Sequence, residues 1–401
     1  MLLSSGADAQ SLDARRAFDK GDYATALTLF QEANQSKPAC PNFFYIGLAR
    51  YRLKQVDESL IAFRAAVQCD PKMVDAYLAL GEAYLERRNQ GEALAAYTEA
   101  LAQVPDHPAA LRGAITLYLA NEVKDKALPL LERLVEVDKK DAQARVDLAA
   151  VYGSNSDRTR AEKQLLEALR VRPKFPPALT ALGNLYFRSN EDDRAIPLLK
   201  EAAELQPKAH EPHYLLGAVY NRHGQFEQAV AELERALQLG GSEAELYYHL
   251  ARAYGGVRRA EDRRKALAKF SEISRRSRED AEAQRNSKRL VEEARTLLQS
   301  GDLNGAAAKL EQARESTPGD ATLLFRLAGL HYDLERLDTA REYVRAAISI
   351  SPSTWLYHYL LGLIEKSSAR WIDARESLNT AQQLNPSAAE VLNALADLPK
   401  P

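Results

Sequence analysis

Few residues in this sequence have the types and spacing that chemistry demands. His210-Glu211-Pro212-His213 comes nearest. It is one residue short of H-E-x-x-H, in which two histidines four apart on one helix face hold zinc. Pro212 stands between the pair and interrupts helical pairing there. These histidines read as residues at a helix start, and no metal is expected. His107, His223, His249, His331 and His358 are scattered, and none can be set beside a nucleophile. A G-x-x-x-x-G-K phosphate loop is absent, and so is a G-x-S-x-G elbow. The expectation is no catalytic residue, no cofactor and no enzymatic activity.

Elements, not reactive groups, organise the chain. Its 401 residues exceed what one compact core holds, roughly 250–300 residues. The 54 basic and 56 acidic residues nearly cancel, which argues against a dedicated nucleic-acid binder. Apolar residues at 46% and charged residues at 27% indicate folded chain, not disorder. No apolar run reaches the ~18 residues of a membrane span. Two cysteines exclude a cysteine-rich zinc module or a dense disulfide scaffold.

A period of 34 residues replaces the several domains that length suggests. Pro71 and Pro105 are 34 apart, as are Pro173 and Pro207, and Pro318, Pro352 and Pro386 continue the spacing. Between the prolines, Tyr77-x-x-Leu80-Gly81-x-x-Tyr84 is followed by Ala93, Tyr97 and Ala100. Similar copies hold Leu182, Gly183, Tyr186, Ala195 and Leu199, then Leu216, Gly217, Tyr220, Ala229 and Leu233. Helix-spaced apolar residues mark two amphipathic helices per copy. The small residues let backbones approach, the large ones fill the space between helices, and proline ends the second helix.

This pattern resembles the tetratricopeptide repeat (TPR) over nearly the whole chain. The register gives about eleven units. An N-terminal array of about eight spans 7–280, its last unit (244–280) expanded. A polar spacer covers 281–286, three units cover 287–388, and 389–401 read as a capping helix and tail. Residues 1–6 read as disordered or as a trimmed signal remnant. Arg50, Leu297 and Glu365 stand where the family prefers tyrosine, and Ser59 replaces a small alanine. Each unit is braced by its neighbours, so the array should tolerate these departures.

The resemblance implies an all-α fold, a right-handed superhelical α-solenoid of helix-turn-helix units. It also implies that the second, fifth, ninth, twelfth and thirteenth slots of each unit face a concave groove. Those slots supply Phe44, Leu48, Arg52, Asn184, Phe187, Tyr214, Arg222, Tyr248, Arg252, Phe325 and Tyr359 as candidate partner-binding residues. Aromatic residues mixed with arginine are the composition of interface hot spots. Tyr51 and Tyr332, each following a vacated tyrosine slot, read as structural. Members that clamp a chaperone's terminal carboxylate carry a Lys–Asn pair at the fifth and ninth slots. The slots read from units two to six lack that pair, so this adaptor function is disfavoured. In the implied hairpin, Cys40 opens one helix and Cys69 closes the next, so a disulfide is conceivable; two ordinary thiols are the preferred reading.

The array is interrupted once. Arg252–Arg278 carries ten basic residues against Glu261, Asp262 and Glu272, and Ser274–Arg289 offers only Ala281 and Ala283 as apolar residues. Either a turn near Ser277–Asp280 separates two helices, which is preferred because both residues suit an N-terminus, or one rod runs from about Arg259 to Ser300. The basic stretch reads as a solvated face of (i, i+4) pairs, the alternative being a surface for an acidic partner. Ala7-Asp8-Ala9 has the small-x-small form of a signal-peptidase site without the charged and apolar regions before it. An extracytoplasmic, periplasmic location is preferred to a cytoplasmic one.

The functional expectation is a non-enzymatic protein-interaction scaffold that binds an extended peptide or protein surface. The alternatives are an interaction module of a larger enzyme or of a secretion or assembly machine, and an RNA-binding helical repeat. Neither nucleic-acid binding nor membrane insertion is expected.

Overall fold

The computed structural model describes residues 4–385 and 388–399, and every regular element among them is an α-helix. Twenty-two helices follow one another. They are α1 (Ser4–Asp19), α2 (Tyr23–Ser36), α3 (Cys40–Arg52), α4 (Val56–Cys69), α5 (Val74–Glu86) and α6 (Gln90–Gln103). Next come α7 (Pro108–Ala120), α8 (Lys124–Val137), α9 (Ala142–Ser154), α10 (Arg158–Val171), α11 (Pro176–Arg188) and α12 (Asp192–Leu205). Then follow α13 (His210–Arg222), α14 (Phe226–Gln238), α15 (Ala244–Gly256) and α16 (Ala260–Gln299). The last are α17 (Leu303–Ser316), α18 (Ala321–Asp333), α19 (Leu337–Ile350), α20 (Trp355–Ser367), α21 (Trp371–Leu384) and α22 (Ala389–Ala396). Of the leading segment 1–6, residues 1–3 lie outside the described residues, as does Pro386 of the proline series, and Ser4–Gly6 begin α1.

The turns repeat the sequence period in backbone form. Lys54, Arg88, Glu122, Ser156, Asn190, Gly224 and Arg258 all have positive φ, each 34 residues after the last. Gly301, Glu335 and Ala369 continue the series at the same spacing. Between Arg258 and Gly301 the interval is 43, so nine residues are inserted there. They are absorbed by α16, which is 40 residues long.

This corrects the preferred turn at Ser277–Asp280. The chain there is continuous helix, and the polar spacer 281–286 lies inside it. Propagating a helix adds one hydrogen bond per residue fixed, and this stretch is rich in helix-forming Arg, Glu and Ala without a Gly or Pro to stop it. Its basic face carries Arg259–Asp262 at 2.6 Å, Arg264–Glu261 at 2.7 Å and Lys269–Glu272 at 2.8 Å, the pairing of a solvated helix surface.

The contacts divide the chain into two compact units, whose boundary falls within α16. The first holds the chain up to Ala49 with Ala62–Glu82 and Gln90–Arg276; the second holds Arg50–Ile61, Ala83–Asn89 and the chain from Ser277 onward. In the first, one apolar core runs through successive helix pairs from Leu111 to Ala266. In the second, Leu290, Leu310 and Leu327 begin a series of smaller cores that α22 closes through Val391 and Ala394.

Polar clamps tie neighbouring pairs at the tyrosine slot. The hydroxyls of Tyr152, Tyr186 and Tyr254 donate to Glu132, Glu162 and Glu234 of the preceding pair at 2.7, 2.8 and 3.0 Å. Arg194 lies 3.8 Å over the Tyr186 ring and Arg259 lies 4.5 Å over that of Tyr254. Burial, then the carboxylate, pushes the hydroxyls of Tyr186 and Tyr254 up to about 12. Where the slot departs from tyrosine, other polar partners appear. Glu365 is fully buried and accepts from Arg341 at 2.9 Å, and Arg341 also donates to Ser368 at 2.7 Å. Ser59, buried in the alanine slot, returns its hydroxyl to the Val56 carbonyl at 2.7 Å.

Cys40 opens α3 and Cys69 closes α4, and the two are disulfide-bonded with Cα atoms 5.3 Å apart. The preferred reading of two free thiols is thereby corrected: adjacent helix ends bring both sulfurs within bonding reach.

Reducing this bond should lower stability by about 3 kcal/mol, the cost of releasing a closed loop of this size. Urea unfolding with and without reductant measures it, and a Cys40→Ser variant should show no further effect of reductant. A second expectation concerns His331, buried in the tyrosine slot, whose imidazole is held below its usual pKa by burial. The unfolded state then binds the proton first, so stability is lost as pH falls below about 6.5. The stability of His331→Tyr should fall less between pH 7 and 5 than that of the wild type, in paired denaturation series.

Candidate functional site

The first helix of each pair presents the slots expected to meet a partner. In the first unit, α9, α11 and α13 enclose a cavity of about 550 Å³. Val146 and Ala150 of α9, Thr180, Asn184 and Arg188 of α11, and Glu211 of α13 line it. All six occupy expected groove slots. Its walls are mostly small and apolar, and burial raises the Glu211 carboxyl, opposed by His210.

The second unit has a larger cavity, about 890 Å³, between the C-terminal part of α16 and α18. Lys288, Val291, Arg295 and Leu298 face Thr322, Gly329 and Asp333 across it. Of the seven, Asp333 is a groove slot read from the sequence, and the other six are not among the residues named there. The signal was present, since the same register applied to 287–320 assigns Lys288, Val291, Arg295 and Leu298 to groove slots.

An aromatic run continues the first unit's wall. Tyr214 of α13 meets the His249 ring edge-on at 5.9 Å. Tyr248 lies 5.5 Å from His249 and 5.7 Å from Phe270 of α16. Tyr248 is 48% exposed, while Tyr214 is half-buried. Burial and then Glu245, Glu243 and Glu211 raise the Tyr214 hydroxyl. Burial and then Arg252 and Arg222 depress the His249 imidazole. Acidic groups thus border one part of the run and arginines another. Asn221, fully buried, donates to the His249 carbonyl at 2.7 Å and fixes α13 against α15.

Other candidates are engaged within the chain. The Arg222 guanidinium lies 4.3 Å over the Phe187 ring and donates to the Phe187 carbonyl, to Asn190 at 2.7 Å and to Asp192 at 3.0 Å. Asp192 is buried and also meets His223 at 2.8 Å. Arg222 and Phe187 therefore brace α11, α12 and α13, a role the slot pattern did not reveal. Phe44 packs 6.0 Å from Phe63, with Leu48 partly buried one turn on. In the second unit Phe325 packs 5.0 Å from Tyr357 and Tyr359 packs 6.1 Å from Trp355. Tyr332, read as structural, bonds Ser367 at 3.1 Å. Arg52 and Arg252 are exposed. Among the described residues no cluster of three metal-ligating side chains occurs, and no helix is long and apolar enough to cross a membrane.

Sequence profiles described as tetratricopeptide repeats match residues 12–74, 47–108, 78–145, 210–253 and 291–353, and a TPR repeat profile matches 183–224. Together they cover more than half of the chain. It belongs to the tetratricopeptide repeat family. Members of this family bind proteins or peptides. The peroxisomal targeting signal receptor of Komagataella phaffii is 30% identical over 139 residues, 34% of this chain and 24% of the receptor. The CTR9 homolog of Arabidopsis thaliana is 41% identical over 66 residues, 16% of this chain and 6% of that protein. The chain thus spans at most about a quarter of the length of these curated relatives. Among solved structures, YrrB, described as a TPR protein with an unusual peptide-binding site, is 20% identical with a TM-score of 0.42, covering 46% of this chain and 95% of YrrB. A tetratricopeptide repeat protein from Parabacteroides merdae is 19% identical with the same TM-score, covering 62% of this chain and 99% of its own.

The brace at Arg222 yields a clear expectation for this TPR protein. Arg222→Ala leaves buried Asp192 with His223 alone, and should cost roughly 2–4 kcal/mol of stability. Thermal and urea unfolding measure it; a variant that loses partner capture at unchanged stability would contradict the bracing role.

Proposed function

We propose that the chain is a non-enzymatic scaffold that captures an extended peptide or protein segment along the first helices of its repeats. The run Tyr214–His249–Tyr248–Phe270 carries this reading. It offers aromatic surface, partly exposed, on α13, α15 and α16 of one compact unit. Aromatic side chains anchor interfaces because they bury large area at small entropic cost. Arg252, exposed one turn from Tyr248, would orient the partner through a charge-assisted hydrogen bond. The absence of any nucleophile–base pair in the sequence supports a binding role, and the acidic residues around Tyr214 weigh against RNA. Service as the interaction part of a larger machine is the second reading, favoured by relatives in which the matched segment is a small share of the protein. We propose a location outside the cytoplasm, because a partly exposed disulfide such as Cys40–Cys69 persists under oxidising conditions.

The test is affinity capture from the natural source, read by mass spectrometry, with Tyr248→Ala and Tyr214→Ala as paired controls. Each change should reduce the captured partner by about tenfold, the effect of losing one interface hot spot, with little change in unfolding midpoint for exposed Tyr248. Capture unaltered by both substitutions would rule the groove out.

A further inference from the structure

The second helix of each pair repeats two packing residues in strict register. Ala127, Ala161, Ala195 and Ala229 stand 34 residues apart, and so do Leu131, Leu165, Leu199 and Leu233. None of these is more than 3% exposed. The next step of 34 falls in the N-terminal part of α16 and brings Arg263 and Leu267. Leu267 is 42% exposed, and Arg263, one turn before it, is exposed too. One step of 43 later, Ala306 and Leu310 are buried again.

The interruption itself is the cause. In a regular pair a turn follows the second helix and returns a first helix over it. The α6–α7 turn does so, and sets the Tyr97 ring against Gly113. α16 stays helical to Gln299, so no such turn brings a first helix back over Leu267. A cavity of about 380 Å³ lies on this open side, with Tyr254, Gly255 and Leu267 in its wall. Its charged lining is Arg258, Arg263 and Arg264, and no acidic residue lines it. The nearby carboxylates are already engaged. Glu261 serves Arg264 at 2.7 Å and Lys265 at 3.9 Å, and Asp262 and Glu234 both serve Arg259. Arg258 and Arg263 form no ion pair among the described residues. Arg258, Arg259, Arg263, Arg264 and Lys265 thus outnumber Glu234, Glu261 and Asp262 by two.

We infer that this face docks an acidic amphipathic helix of a partner protein, stacked on α16 where the array returns no first helix of its own. The occupant is a helix because Leu267 holds the slot that first helices cover in regular pairs. A leucine or similar residue of that helix seats against Leu267 and Tyr254. Carboxylates about one turn to either side meet Arg258 and Arg263, whose planar donors suit them. A second copy of this chain fits poorly, because two-fold pairing would set the same arginines against each other. The site is separate from the groove of the first helices and does not rest on that reading.

The probes are blocked alanine-based helical peptides of about twenty residues, labelled for anisotropy and titrated with the full chain. One carries two leucines a turn apart, flanked by glutamates. In the second, lysines replace the glutamates; in the third, alanines replace the leucines. The acidic leucine helix should bind with a Kd of about 0.1 mM or tighter, and each of the others at least about tenfold more weakly. Leu267→Ala should weaken the acidic helix about five- to tenfold with an unchanged circular dichroism spectrum. Arg258→Glu with Arg263→Glu should transfer the preference to the lysine helix, a reversal that loss of folding would not produce. Glutamate suits the Arg258 turn, since Glu122 and Glu335 hold the same positive φ in the same series. No binding of the acidic helix at about 1 mM, equal binding of the acidic and lysine helices, or binding indifferent to the Leu267 and arginine changes overturns the docking site. Preferred binding of phosphatidylserine vesicles through the same arginines overturns it too, by making the face a lipid surface. None of these results bears on Tyr248-dependent capture, which tests the groove.

Discussion

Tyr97 of α6 lies between two glycines, Gly81 of α5 and Gly113 of α7, and a Cβ on either would stand 2.5 Å from its ring. The ring is buried, and burial pushes its hydroxyl up to about 12. This close approach is the constraint on which the rest depends. A pair of helices of thirteen or fourteen residues cannot bury its own apolar face, so the large residue of one pair must enter a space that the next pair leaves open. Small residues at fixed slots make that space, and the 34-residue period is the interval at which it recurs.

Packing of this kind makes stability local. Each pair depends on its neighbours, so a departure in one slot is compensated nearby and does not propagate. Glu365 illustrates the cost of such compensation. A buried carboxylate loses its hydration, and it is retained because Arg341 donates to it from within the same interface. Tyr152, Tyr186 and Tyr254 reach the same end with less desolvation, since a neutral hydroxyl is buried and its carboxylate partner stays nearer water. Both are polar ties between successive pairs, but the tyrosine form removes no full charge from solvent.

The fold was legible because it follows from this repeated packing rule. Gly81, Tyr84, Ala93 and Tyr97 specify one pair completely, and the same types recur in register to the end of the array. The interruption was misread for a physical reason. Ser277 and Asp280 are good caps, yet a cap ends a helix only where propagation is already unfavourable, and no Gly or Pro makes it so there. The site was half legible. Slot position put Asn184 on a cavity wall, but it does not report what a long side chain reaches once there. Arg222 turns back onto Phe187 and Asp192. The repeat places Cys40 and Cys69 at neighbouring helix ends, which makes their bond conceivable, and the 5.3 Å between their Cα atoms decides it.

The division of labour within each pair explains why function can vary while the fold persists. Second helices and the small slots of the first helices are fixed by packing, as Ala195, Leu199 and Gly183 show by their complete or near-complete burial. Among the remaining slots of the first helices, Phe187, Asn221 and Arg222 are held by particular neighbours, whereas the fifth slot accepts many types. One position can therefore hold Val291 in one pair, Thr180 in another and Tyr248 in a third without disturbing the stack. Such positions carry no stability reason for their identity.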